Sequence, residues 1–129
     1  MSYESIVGRR VAVLGAAFEP ESDDVRDSPA LSVAAQMSLQ GADVVVTDPK
    51  AIENAAAKSP DLRFVETVEE AVAGAELVLP LTEWKQYLAL DPAALKGLTK
   101  SPRILDGRNA LDAERWPAAC WTYRALGRR

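Results

Sequence analysis

Histidine is absent from this 129-residue sequence. That excludes Ser-His and Cys-His nucleophiles and histidine-ligated metals, and leaves any catalysis to carboxylates, lysine, tyrosine or the one cysteine. A single cysteine cannot build an intrachain disulfide framework, which suits a reducing compartment. No apolar run approaches the roughly 18 residues of a membrane span, and the N-terminal "MSYESIVGRR" lacks the apolar segment of a signal peptide. Basic charge is scarce: 15 Lys and Arg stand against 19 Asp and Glu, a net charge of −4. Nucleic-acid binders carry the opposite field. The absences together predict a soluble, cytoplasmic protein with neither nucleic acid nor membrane as partner.

What is present is a core-forming composition, 48% hydrophobic, in a length that fits one domain, residues 1–129. "RVAVLG" reads as a strand covered on both faces, ending at Gly15. Ser28-Pro29 is a helix start, with serine as N-cap and proline at the first helical position. The helix that follows is predicted to bury Leu31, Ala34, Ala35 and Leu39 and to stop at Gly41. "ADVVVTD", "LRFVET", "ELVLPL", "RILDG" and "CWTYRAL" read as further strands. Short helical stretches lie between them: "AIENAAAK", "VEEAVAGA", "EWKQYLAL" with "PAALKGL", and "DAERWPAA". Thr82 and Asp112 are the expected caps of the helices that follow them. Strands alternating with helices predict an α/β fold: three layers, doubly wound and Rossmann-like, with a mainly parallel sheet of about six strands and the first and fourth adjacent at its centre.

In such sheets ligands sit beyond the carboxyl ends of the strands, where the winding reverses. Residues 16–27, 81–84 and 106–109 converge there. Arg26 and Arg108 lie in these segments, and two guanidiniums at one crevice suit an anionic ligand, helped by backbone amides at the helix start after Ser28. Arg26 could equally pair with Asp23, Asp24 or Asp27, and Arg108 could be a satisfied turn residue. Only Gly15 of a dinucleotide-type glycine pattern is present, since "GAAFEP" is not G-x-G-x-x-G. The residues alone reach a nucleotide-binding-like domain with an anionic ligand.

Taken in order, "VAVLGAAFEPESDDVRDSPAL", "LTEW", "DGRN" and "WTYRALGR" resemble the C-terminal domain of the UDP-glucose/GDP-mannose dehydrogenase family, from about Gly8 to Arg128. The resemblance implies the UDP-binding domain of an NAD-dependent enzyme of the UDP-glucose 6-dehydrogenase type. Such enzymes oxidise the C6 alcohol of a nucleotide sugar twice, UDP-glucose to UDP-glucuronate, for polysaccharide precursors. It implies that an N-terminal domain binds most of the NAD and carries the catalytic cysteine, that a long helix links the two domains, and that the assembly is a homodimer or larger. By position, Arg26 matches an arginine that reaches the cofactor, Arg108 one that contacts the nucleotide sugar, and Phe18 an aromatic beside the substrate. Trp84 matches a recurring residue and is expected to pack beneath the crevice.

Two departures stand out. The family's first loop usually carries a lysine that contacts substrate, and here that position is Glu19. Unit charges about 4 Å apart at an effective dielectric of about 20 interact by about 4 kcal/mol, so reversing the sign weakens phosphate binding. Glu21, Asp23 and Asp24 deepen the negative field. The family's NAD domain and catalytic cysteine also have no counterpart here, so the chain alone is expected to oxidise nothing. It is either part of a longer enzyme or a stand-alone domain. Cys120 is expected to be a small buried residue opening the last strand, where the family often has glycine. Two other readings compete: a non-catalytic dimerisation or regulatory module with an altered site, and a cation site in "EPESDD", whose spacing is not that of an EF-hand. No metal is assigned.

Overall fold

The computed structural model describes residues 8–17, 24–26, 28–82, 84–106, 111 and 114–125. Six strands form one sheet: β1 (Arg10–Leu14), β2 (Asp43–Thr47), β3 (Arg63–Phe64), β4 (Leu77–Pro80), β5 (Arg103–Asp106) and β6 (Thr122–Ala125). Their order is β3-β2-β1-β4-β5-β6 and every pairing is parallel. Between them run α1 (Pro29–Leu39), α2 (Ile52–Lys58), α3 (Val68–Val72), α4 (Lys85–Leu88), α5 (Pro92–Lys96) and α6 (Arg115–Ala118). This is the doubly wound α/β architecture expected from the sequence, with β1 and β4 side by side at the centre.

The near-continuous apolar runs of β1, β2 and β4 follow from their position, because a central parallel strand is covered on both faces. Alternate residues feed two separate cores. Val11, Val13, Val44, Val46, Leu77 and Leu79 pack with Leu31 and Ala34 of α1 and Ala55 of α2. Ala12, Leu14, Val45, Val78 and Ile104 pack on the other face with Val72 of α3, Tyr87 of α4, Leu95 of α5 and Trp116. Trp116 and Trp121 meet edge to face, centroids 5.0 Å apart, and Trp121 Nε1 donates to the Pro92 carbonyl at 2.7 Å.

The start of α1 is as the sequence predicts. Ser28 Oγ accepts from Leu31 N–H, Pro29 opens the helix, and Gly41 (φ +100°) turns the chain out of it. The buried face is different. Ala30, Leu31 and Ala34 are buried and Met37 packs against the core, whereas Leu39 is 88% exposed. Five residues beyond Ala34, at about 100° each, Leu39 points about 140° away from the stripe's centre.

Three further expectations are corrected or bounded. Thr82 does not cap α4: Trp84 is at that position with no side-chain cap bond, and Thr82 Oγ1 donates instead to the Ala17 carbonyl at 3.0 Å. Cys120 is exposed rather than buried and has φ +69°, because it follows the Ala119 cap of α6, where the chain turns through the left-handed region. Glycine adopts that conformation without penalty. Asp112 lies outside the described residues, and α6 begins at Arg115 after Glu114, which makes no side-chain cap bond.

Candidate functional site

The winding reverses between β1 and β4, whose following segments pack on opposite faces of the sheet, and in folds of this winding the ligand crevice lies at their carboxyl ends. One wall is the turn at Gly15, Ala16 and Ala17. Gly15 has φ +103°, and its N–H donates to the Thr47 carbonyl at 2.7 Å. Ala16 N–H and Ala17 N–H donate to Asp48 Oδ2 at 2.7 and 3.2 Å. The carbonyls of the same turn are held too, Ala16 O by Ser28 Oγ at 2.7 Å and Ala17 O by Thr82 Oγ1 at 3.0 Å. Backbone groups of β1's exit are thus fixed by side chains from β2's exit, α1's cap and β4's exit.

Asp48 stands immediately after β2 and is 2% exposed. Its second oxygen, Oδ1, accepts from Lys50 N–H and Ala51 N–H, both at 2.8 Å. A buried carboxylate needs such donors, since an unsatisfied charge in the interior is costly. Tyr87 OH lies nearby and donates to the Thr47 carbonyl at 3.4 Å. Burial pushes the Tyr87 hydroxyl well above the ordinary tyrosine range, and the Asp48 charge pushes it the same way, so it stays a neutral donor.

The opposite wall starts from Asp106, the last residue of β5, which is fully buried. Its Oδ2 accepts from Leu111 N–H at 2.8 Å and Tyr123 OH at 3.0 Å. One carboxylate of β5 thus joins Leu111 to Tyr123 of β6. Below the crevice Trp84 is buried, as the sequence predicts of a packing residue, and its indole Nε1 has no hydrogen-bond partner among the described residues.

Arg26 is highly exposed, and Asp24 grips its guanidinium side-on, through Nε and Nη2. Asp24 Oδ1 accepts from Arg26 N–H and Nε at 2.9 and 3.1 Å, and Oδ2 accepts from Nη2 at 3.0 Å. These bonds from Arg26 hold the Asp24 carboxyl down to about 2. Phe18, Glu19 and Arg108 lie outside the described residues, as do Asp23 and Asp27. The amides at the start of α1 offer an anion less than expected: Leu31 N–H goes to Ser28 Oγ and Ser32 N–H to Ser28 O. Away from the crevice an open groove of about 510 Å³ runs between α1 and α2, lined by Ser28, Pro29, Leu31, Ser32 and Lys58. Lys58 Nζ there donates to the Val25 carbonyl at 3.1 Å.

Sequence reasoning missed Asp48 and read Asp106 only as part of a motif. The available signal was an aspartate directly after an apolar strand, since aspartate readily accepts from amides two and three residues on.

The profile of the UDP-glucose/GDP-mannose dehydrogenase family, UDP binding domain, matches residues 12–113. The chain is 43% identical over 111 residues to the UDP-glucose 6-dehydrogenase AglM of Haloferax volcanii, covering 83% of this chain and 26% of that protein. It is 34% identical over 125 residues to the UDP-glucose 6-dehydrogenase YwqF of Bacillus subtilis, covering 96% of this chain and 28% of the relative. Among solved structures, an NDP-N-acetyl-D-galactosaminuronic acid dehydrogenase from Methanosarcina mazei superposes with a TM-score of 0.84 at 28% identity, over 96% of this chain and 26% of that one. The chain spans little more than a quarter of the length of these relatives. With crevice, motifs and sheet order in agreement, the chain belongs to the UDP-glucose/GDP-mannose dehydrogenase family, whose UDP binding domain it matches.

Proposed function

We propose that this chain binds the UDP part of a nucleotide sugar and forms one half of the substrate cleft of an NAD-dependent UDP-glucose 6-dehydrogenase. The other half, with the catalytic cysteine and most of the NAD contacts, belongs to the remaining domains of the enzyme. The observation that carries the reading is the family match over residues 12–113, beside which the buried Asp106 at the end of β5 holds Leu111 N–H. In this reading Arg108 holds the substrate by its forked donors. Phe18 covers the sugar, and Glu19 accepts hydrogen bonds from sugar hydroxyls rather than meeting phosphate. Arg26, already paired with Asp24, reaches toward the cofactor from the crevice rim.

The reaction chemistry, hydride acceptance, is NAD's. The amides of this chain's first turn do not fit its pyrophosphate, because Ala16 N–H and Ala17 N–H are directed at Asp48. Assembly with the other domains of such an enzyme, and as a homodimer, is part of the same proposal. So is a cytoplasmic location, given one cysteine and no helix among the described residues long and apolar enough to cross a membrane.

The test is a thermal titration with UDP, UDP-glucose, UDP-glucuronate and GDP-mannose. A melting temperature that rises saturably with UDP compounds, and no longer does so in Arg108→Ala, is expected. If no UDP compound shifts the parent chain or Glu19→Lys, the binding role is wrong for this chain.

A further inference from the structure

We infer that Asp48 is a built-in anion that closes the first turn of this domain to phosphate, and so determines which ligands the crevice rejects. In a dinucleotide-binding fold of this winding, amides of the turn after the first strand hold a pyrophosphate, and an acid after the second strand takes ribose hydroxyls. Here the two halves of that arrangement are turned on each other. Asp48, at the end of β2, points its Oδ2 at Ala16 N–H and Ala17 N–H, 2.7 and 3.2 Å away. Gly15 N–H is bonded to the Thr47 carbonyl. All three amides from 15 to 17 are therefore committed inside the protein.

The other carboxylate oxygen is equally committed, to Lys50 N–H and Ala51 N–H. With four backbone donors and 2% exposure, Asp48 has neither a free lone-pair direction for a ribose nor a path by which water could replace it. A phosphate brought to the turn would find the donors taken and a buried negative charge in their place, which low dielectric makes strongly repulsive. Asparagine would not substitute well, because its amide nitrogen would face two N–H donors. The nucleotide's diphosphate must then be held on the β4–β5 side of the crevice, a corollary that rests on the proposed function.

The test follows amide resonances of the ¹⁵N-labelled chain. With pyrophosphate or NAD added to the parent protein, Ala16, Ala17, Lys50 and Ala51 are expected to stay in place. In Asp48→Ala, shown to be folded by its dispersed spectrum, Ala16 and Ala17 are expected to move along a saturating curve with pyrophosphate. Saturable movement of Ala16 and Ala17 in the parent chain overturns the inference, and so does a folded Asp48→Ala in which they stay still. The parent titration decides the matter by itself where the variant does not fold. UDP is added separately: movement of Leu111 and Tyr123 without Ala16 and Ala17 is expected. If UDP moves nothing, the proposed function fails while the pyrophosphate arm still judges Asp48.

Discussion

Thr82 occupies the space that any side chain on Gly15 would need. A Cβ at Gly15 would lie 2.5 Å from Thr82 Oγ1, 2.6 Å from Thr82 Cβ and 3.0 Å from Thr82 N. The carboxyl ends of β1 and β4 approach so closely that only hydrogen fits between them, and this approach lets Thr82 Oγ1 reach the Ala17 carbonyl. Gly15 thus serves the packing of two strands rather than the approach of a pyrophosphate.

Gly15→Ala is accordingly expected to destabilise the fold by at least about 2 kcal/mol, from overpacking and from the left-handed φ together. Denaturant unfolding measures it. Adding Thr82→Ala should restore little, because Thr82 Cβ and N remain in the way. Full restoration by Thr82→Ala would mean that the hydroxyl alone sets the limit.

Tyr123→Phe removes the hydroxyl that donates to Asp106 Oδ2. Losing a donor from a buried carboxylate is expected to cost about 1–3 kcal/mol. Because the same oxygen holds Leu111 N–H, the variant should also loosen the segment that carries Arg108. UDP is then expected to bind more weakly to Tyr123→Phe even at temperatures where the variant is fully folded. Calorimetric titration of parent and variant checks this, and equal affinities would separate the Asp106 clamp from binding.

The Asp24–Arg26 pair predicts a pH effect with a definite sign. Arg26 lowers the Asp24 carboxyl from 3.8 to about 2 in the folded chain. The pair therefore contributes above the unfolded value, and its contribution disappears as pH falls from about 3.8 toward 2. Its exposure makes that contribution small, since solvent screens the attraction. In Arg26→Ala the Asp24 carboxyl resonance is expected to titrate closer to the ordinary aspartate range. A titration unchanged from the parent would mean that Arg26 is not what holds it down.

The layout of the fold is legible in the sequence because its signals are local or repetitive. The runs "VAVL" and "DVVVT" carry strand identity and two-sided burial at once, and Ser28-Pro29 fixes a helix start within a few residues. Leu39 and Cys120 are misread because exposure depends on how α1 lies on the sheet and on how α6 hands the chain to β6. Thr82 is misread because its hydroxyl finds a partner 65 residues earlier. Asp48 is hidden for the same reason, since its amides at 16 and 17 lie 32 and 31 residues away. The place of the crevice and the anion-binding character of Arg26 and Arg108 follow from strand order and charge, whereas the roles of Phe18 and Glu19, and the assignment of Arg26 to cofactor and Arg108 to nucleotide sugar, come from family resemblance.

Cys120 is the one non-glycine with positive φ among the described residues. Left-handed geometry costs an ordinary side chain about 1–2 kcal/mol. Glycine removes that cost but adds unfolded-chain entropy worth about 0.4–1 kcal/mol. The larger effect wins, so Cys120→Gly is expected to stabilise the domain by about 0.5–1 kcal/mol, and Cys120→Val, β-branched in the same geometry, to destabilise it. The exposed thiol should also react with a thiol reagent without denaturant. Thermal unfolding of the three proteins checks the order glycine, cysteine, valine. A less stable Cys120→Gly would mean that the cysteine side chain makes a contact worth more than the strain of holding φ at +69°.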